Sequence, residues 1–348
     1  MPMPRLMAEG PTWCLSRRGA LALGAAGVLL PAAAHAATVH ERRALFGSWA
    51  EVVLPQGAAA DPAPALQAVF VDLDALNQRW NAWKPGELTR LNASLRQGRS
   101  TAVAPDLRLL LQRAAALEVA SLGGFNAGLG ALVGAWGFHA DVLTPGEAPS
   151  PQRLADLMRA QPGLGQLRWN GALLSSTGPA LQLDLGGIAK GWAVDRALDA
   201  LRARGVGDAL VNLGGNLACM GLGPARRAWC VGLRDPFGPG LMARLQTAGR
   251  EAVVTSGTYE RRRRVGDGWI SHVLQPRAGR PAQELVSVTV VHGQADVADA
   301  AATALLAAGA DRWPEVARRM NLAQVLVVHA DGTRKVTPAL RRRLLPPA

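Results

Sequence analysis

Apolar residues recur along the chain with two different periods, and the points where one gives way to the other predict the elements. Leu45 to Leu54 alternates as a first strand, and Pro64 to Trp80 carries apolar residues at helical spacing. Pro105 to Leu122 is again helix-like, and a helical pattern that opens near Ile188 continues through Leu198 to Arg204. Three short strands are predicted next, at Ala209 to Leu213, Leu217 to Leu222 and Ala228 to Leu233. Val286 to His292 is apolar and β-branched, as a buried strand requires, whereas Val297 to Ala308 is Ala-rich and helical in character. Leu322 to His329 reads as a last strand, and Pro145 to Pro162 as a surface excursion with a short helix. With no repeat of solenoid length and no low-complexity linker, residues 37 to 348 are expected to form one compact unit.

Composition agrees with a mixed α and β chain. Its 348 residues are 49% hydrophobic, enough for a large core, and only 18% charged. That hydrophobic content sets aside a disordered chain, and the 39 Gly and 23 Pro imply many tight connections and disfavour a single coiled coil or a solenoid. The formal charge of +12 narrows a partner to something anionic, whether nucleic acid, lipid or a phosphorylated ligand. One Tyr and five Phe offer little for stacking bases, so nucleic acid is not the expected partner. The densest basic runs, Arg261 to Arg264 and Arg341 to Arg343, read as solvated surface.

The first 36 residues read as an export signal. Ser16-Arg17-Arg18 precedes an uncharged stretch from Gly19 to Ala34, and Ala34-His35-Ala36 is a small-x-small cleavage pattern. The paired arginines resemble a twin-arginine leader, with a Sec signal as the alternative, and either predicts a periplasmic protein. No other run of about 20 apolar residues is present. Cys14 would leave with the leader; Cys219 and Cys230 either pair across neighbouring strands or remain two free thiols.

Three segments carry candidate chemistry. Asp184-Leu185-Gly186-Gly187-Ile188-Ala189-Lys190-Gly191 puts a carboxylate, glycines and a lysine at the entry of a helix, which suits a phosphate group and equally suits a plain strand-to-helix turn. Asp299 and Thr303 stand four residues apart on the Ala-rich helix, where they can meet one hard cation, or where Asp299 simply charges the helix start. His272 precedes a Pro276-Arg277-Ala278-Gly279 turn, as a loop histidine able to move protons or, like most lone histidines, as a structural one. No metal-spaced His or Cys pair and no G-x-S-x-G elbow occurs, so a zinc protease or an α/β-hydrolase has nothing to rest on.

In order along the chain, these segments resemble the ApbE family of FAD:protein FMN transferases. The resemblance opens at Phe46-Gly47-Ser48 and runs through Trp83-Lys84-Pro85-Gly86-Glu87-Leu88, Leu91-Asn92, Phe125 to Gly130, and Trp136-Gly137-Phe138. It continues through Asp184 to Asp195, Val211 to Asn216, Thr255-Ser256-Gly257, His272 to Gly279, and Ala298 to Thr303. It implies an α+β fold, a single domain with antiparallel sheet and packed helices. It also implies that FAD is held by Phe46, Trp83, Gly124, Phe125, Asn126, Asp184 and Lys190, with Val273 near the flavin. A magnesium ion would take Asp299, Thr303 and the carbonyls of Gly187 and Ala302, and His272 would be the base for the incoming hydroxyl.

The implied reaction transfers FMN from FAD to a Thr or Ser hydroxyl of an exported or membrane-attached acceptor, such as a redox-complex subunit, with release of AMP. A metal-dependent FAD pyrophosphatase and a non-catalytic FAD carrier are the alternatives. The chain departs from the family pattern at Trp83, where Tyr is usual, at Gln275, where Asp is usual before the proline, and at Asn126-Ala127-Gly128.

Overall fold

The computed structural model describes residues 26–28 and 38–347; apart from Ala26–Val28, the predicted leader lies outside the described residues. An eight-stranded antiparallel sheet organises the molecule. Its strands are β1 (Thr38–Leu45), β2 (Ser48–Pro55), β3 (Ala209–Leu213), β4 (Asn216–Met220), β5 (Glu251–Gly257), β6 (Leu285–His292), β7 (Val325–His329) and β8 (Arg334–Val336), and they lie side by side in chain order. Each connection therefore joins neighbours, and the long excursions between β2 and β3 and between β6 and β7 carry the helices.

Those helices are α1 (Ala63–Arg79), α2 (Glu87–Arg96), α3 (Pro105–Ala120), α4 (Ala189–Ala203) and α5 (Ala295–Arg319). Of these, α1, α4 and α5 pack on one face of the sheet, and α3 packs on α5. Because side chains alternate across a strand, Val52, Val211, Ala218, Val254, Val290 and Val327 meet the helices. Val53, Leu210, Leu217, Cys219, Val253 and Val328 point the other way, onto Trp229 and a second antiparallel sheet. That sheet pairs Cys230–Arg234 with Leu241–Gln246, and is edged by Ala26–Val28 and Leu344–Leu345. Central strands β3 and β4 are buried on both faces, which is why they read as unbroken apolar runs. The α+β class and the antiparallel sheet stand as expected.

Several boundaries move for identifiable reasons. The strand predicted at Leu45 to Leu54 is β2 and begins at Ser48, because Phe46 and Gly47 take φ of 54° and 67° and reverse the chain in a two-residue turn. The strand on the other side of that turn, β1, is an edge strand whose polar His40 to Arg43 hid it from a hydrophobic reading. The Ala-rich helix extends to Arg319, interrupted at Gly309, where φ is 78° and the Glu284 carboxylate accepts the Ala310 N–H. Thr255-Ser256-Gly257, met in the sequence as a motif, ends a central strand, Glu251–Gly257. Cys219 and Cys230 are both unpaired, and burial pushes the Cys219 thiol up to about 11, so it stays protonated. Among the described residues no helix is long and apolar enough to cross a membrane.

The start of α5 is capped from another helix. Asp195, on α4, accepts the N–H groups of Ala295 and Asp296 at 2.7 and 3.1 Å through one carboxylate oxygen, and Arg250 flanks it at 3.5 Å. Asp296 in turn is paired with Arg113 of α3. Asp195→Ala is therefore expected to lower unfolding stability in urea by about 1–2 kcal/mol, the cost of an emptied N-cap.

Candidate functional site

The site forms at one end of the main sheet. There the Gly214 N–H donates to the Trp49 carbonyl at 3.1 Å, and the Thr255 N–H approaches the Gly215 carbonyl at 3.4 Å, gathering the β1–β2 turn, the β3–β4 turn and the end of β5. The segment 183–191 crosses this end before entering α4. Asn92 of α2 grips it as a neighbouring strand would, donating Nδ2–H to the Leu183 carbonyl at 2.9 Å and accepting the Leu183 N–H at 2.8 Å. The Asp184 N–H donates to Ala127 O at 2.8 Å.

With its backbone held, Asp184 has a defined side-chain geometry. Oδ1 accepts the Gly186 N–H at 2.9 Å, and Oδ2 lies 2.9 Å from His139 Nε2. Burial opposes ionisation, but the His139 ring and the Gly186 N–H outweigh it and hold the carboxyl below the usual carboxylate range.

The glycines that follow permit close approach to α5. A Cβ on Gly187 would stand 3.3 Å from both the Phe125 ring and Thr303 Oγ1, and one on Gly191 would collide with the Ala295 carbonyl at 2.3 Å. That proximity lets the Gly191 N–H donate to Asp299 Oδ2 at 2.9 Å across 108 residues of chain. Asp299 is 2% exposed, and burial raises its carboxyl pKa against the opposing pull of Lys190 and the Gly191 N–H. Asn216, at the start of β4, is also buried and faces the same carboxylate. Ser256 Oγ and Thr303 Oγ1 are 3.5 Å apart, and Lys190 Nζ reaches the Gly186 carbonyl at 3.3 Å.

His272 borders this group. Its Nδ1 lies 3.0 Å from the Arg261 carbonyl, which can only accept, so Nδ1 carries the proton and Nε2 keeps its lone pair. Loss of solvent, with the Lys190 charge nearby, lowers its pKa to about 4. The ring is therefore neutral at physiological pH. Gln275 accepts from Arg280 at 3.3 Å and takes no part in orienting His272, so the departure at that position falls outside the contacts that hold the ring.

The remaining residues named from the sequence take more peripheral places. Ala302 is fully buried on α5 beside Thr303. Gly124 packs on the Ala304 carbonyl and lines a cavity of about 170 Å³ with Gln275, Pro276 and Arg277. Asn126 is engaged in its own loop, accepting the Gly128 N–H at 2.7 Å and donating to Pro162 O at 2.9 Å. Val273 is 5% exposed within the main core, and the Phe46 N–H at the β1–β2 turn donates to Asn77 at 3.1 Å.

Trp83 stacks on His139 with ring centroids 5.7 Å apart, lies 4.9 Å from the Arg261 guanidinium, and donates Nε1–H to Asp141 at 3.2 Å. His139 and Arg261 escaped the sequence reading. A lone histidine after Trp136-Gly137-Phe138 has no diagnostic spacing, and Arg261 stands in a run whose composition is that of solvated surface, although its guanidinium turns inward onto the carbonyls of Phe138 and Ala140.

The sequence profile of the ApbE family matches residues 46–327. A FAD:protein FMN transferase of Rhodobacter capsulatus is 39% identical over 340 residues, 94% of this chain; the chain spans 64% of that relative's length. Among solved structures, the flavin transferase ApbE from Vibrio cholerae superposes with a TM-score of 0.74 at 26% identity, covering 88% of this chain and 99% of that one. The ApbE protein from Thermotoga maritima, 23% identical, shares the fold with a TM-score of 0.80 over 88% of this chain and 99% of its own. A profile match that starts at the Phe46 turn and ends in β7 takes in every segment of the site, and the chain belongs to the ApbE family.

Proposed function

We propose that this protein is a FAD:protein FMN transferase, moving FMN from FAD to a Thr or Ser hydroxyl of an acceptor protein and releasing AMP. The observation that carries this reading is the meeting of Lys190, Asp299 and Thr303 beside a neutral histidine with a free Nε2 lone pair, in a chain related to enzymes of that name.

The donors suit a hard divalent cation. The family resemblance implies that a cation would rest on the Asp299 carboxylate, the Thr303 hydroxyl and the backbone carbonyls of Gly187 and Ala302, and the buried Asp299 carboxylate and the Thr303 hydroxyl one turn further along α5 are compatible with that set. That all-oxygen set fits magnesium and not zinc, and a carboxylate buried to 2% exposure gains from a positive partner. When bound, the cation supplies Lewis-acid neutralisation of the pyrophosphate.

The chain's own groups account for the rest. Lys190 adds a positive charge that would help neutralise the pyrophosphate, and the Gly186-Gly187 backbone lets phosphate oxygens come close. His272 Nε2 takes the acceptor hydroxyl proton as its oxygen forms the bond to the FMN phosphorus and the bond from that phosphorus to AMP breaks. By the same reading the acceptor is an exported or membrane-attached redox subunit, since the leader expected at residues 1–36 would deliver this enzyme to the periplasm.

The test is to incubate the chain lacking residues 1–36 with FAD, magnesium and a threonine-containing acceptor peptide. An FMN-sized mass gain matched by AMP, and blocked by EDTA, is the expected result. AMP without a mass gain would make the protein a pyrophosphatase, and bound FAD without AMP a carrier.

A further inference from the structure

The basic run Arg261 to Arg264 is only half explained by the site. It enters an antiparallel hairpin, Arg262–Val265 against Gly268–Ser271, whose base is His272: both the His272 N–H, at 3.1 Å, and its Nδ1 are tied to the Arg261 carbonyl. Alternation along the strand divides the arginines. Arg261 and Arg263 turn inward, Arg263 donating to Trp136 O at 2.7 Å and Thr144 O at 3.0 Å, with Gly137 and Gly146 leaving room for its guanidinium. The Gly146 N–H also donates to Arg264 O at 3.1 Å, so the hairpin is pinned to the 136–146 loop.

Arg262 and Arg264 project outward and are exposed, and among the described residues neither forms an ion pair. Trp269 shares their face: it is the cross-strand partner of Arg264, is 57% exposed, and lies 4.8 Å under the Arg262 guanidinium. The other basic run behaves differently, since Arg343 is tied to Glu251 at 2.6 Å.

An exposed Trp between two unpaired arginines, on a braced hairpin rooted at the base His272, has the chemistry of a recognition surface. We propose that this hairpin face docks an acidic, extended segment of the acceptor protein and so presents its hydroxyl to His272. The proposal rests on the transferase reading and adds the partner's charge to it. Charge complementarity selects the occupant: the guanidiniums pair with carboxylates, the indole covers an apolar side chain, and a chain of formal charge +12 steers acidic partners toward it.

The experiment uses the chain lacking residues 1–36 and two peptides, each with one threonine, flanked by aspartates in one and by asparagines in the other. Binding is read by fluorescence anisotropy without FAD, and transfer by mass gain with saturating FAD and magnesium. The acidic peptide is expected to show a KM about tenfold below its neutral counterpart, the gap closing as salt is raised. Arg262→Glu with Arg264→Glu should raise that KM about tenfold or more while leaving kcat and peptide-free AMP release unchanged.

Equal binding of the two peptides, or a double variant that binds the acidic peptide like the parent, would overturn the proposal. So would a double variant that loses only its affinity for vesicles of anionic phospholipid, which would make the hairpin a membrane contact. Should no peptide gain mass, the transferase reading fails, yet anisotropy still decides whether the hairpin prefers acidic chains.

Discussion

Asp299→Asn is expected to leave a folded protein whose turnover of FAD falls by about 1,000-fold, the effect of losing several kcal/mol of charge stabilisation. The asparagine is nearly isosteric, and its side-chain oxygen can still accept the Gly191 N–H, so the contact between α4 and α5 survives. Fold stability should not suffer. Burial raises the Asp299 carboxyl pKa, which means that keeping it ionised costs the folded state free energy that a neutral amide does not.

Thermal unfolding with and without magnesium separates the possibilities. The parent's Tm should rise with magnesium and the variant's should not, while in EDTA the variant should melt at or above the parent's temperature. A variant that turns over FAD normally, or gains as much from magnesium as the parent, would remove Asp299 from the cation site. A variant that melts well below the parent would mean that Asp299 serves the packing of the two helices.

His272→Ala should lower the transfer rate by about 100-fold or more and change FAD affinity little, because the ring is placed to move a proton and not to hold the cofactor. The pH profile offers a finer test. A base must be unprotonated to act, and with a pKa near 4 His272 is neutral across the physiological range. The rate of the parent should accordingly hold level as pH falls from 8 to about 6 and decline only toward 5 and below, where a solvent-exposed histidine would already have failed near its ordinary 6.5.

Stability follows the same sign. The unfolded chain takes up a proton on this residue below about 6.5 and the folded chain only near 4, so the histidine's contribution is fully present above 6.5 and is lost as pH falls through that window. His272→Ala should flatten this part of the curve of stability against pH.

Much of the framework was legible beforehand. Ala209–Leu213 and Leu285–His292 are β-branched or apolar runs buried on both faces, and α4 and α5 announce themselves by apolar spacing and Ala content. Two segments that the structure brings together, Asp184 to Gly191 and Asp299 to Thr303, were legible as candidates because each packs its chemistry into a short stretch. Less visible were β1, whose edge position tolerates polar residues, and the Gly268–Ser271 arm of the hairpin, whose exposed Trp269 belongs to no core.

Local sequence records which face of an element is buried and which residue types sit together; that was sufficient to determine the class of fold and the family resemblance, and to mark out candidate site residues. It carries no record of which distant atoms meet. The pairing of Asp184 with His139, the Gly191 N–H on Asp299, the orientation of His272 by the Arg261 carbonyl, and the sorting of one arginine run into two anchors and two free charges all arise between segments that only the tertiary structure brings together. The physical reason is that these contacts depend on sheet order and on glycine-permitted helix approach, and so on packing summed over the whole chain, which no window of residues contains.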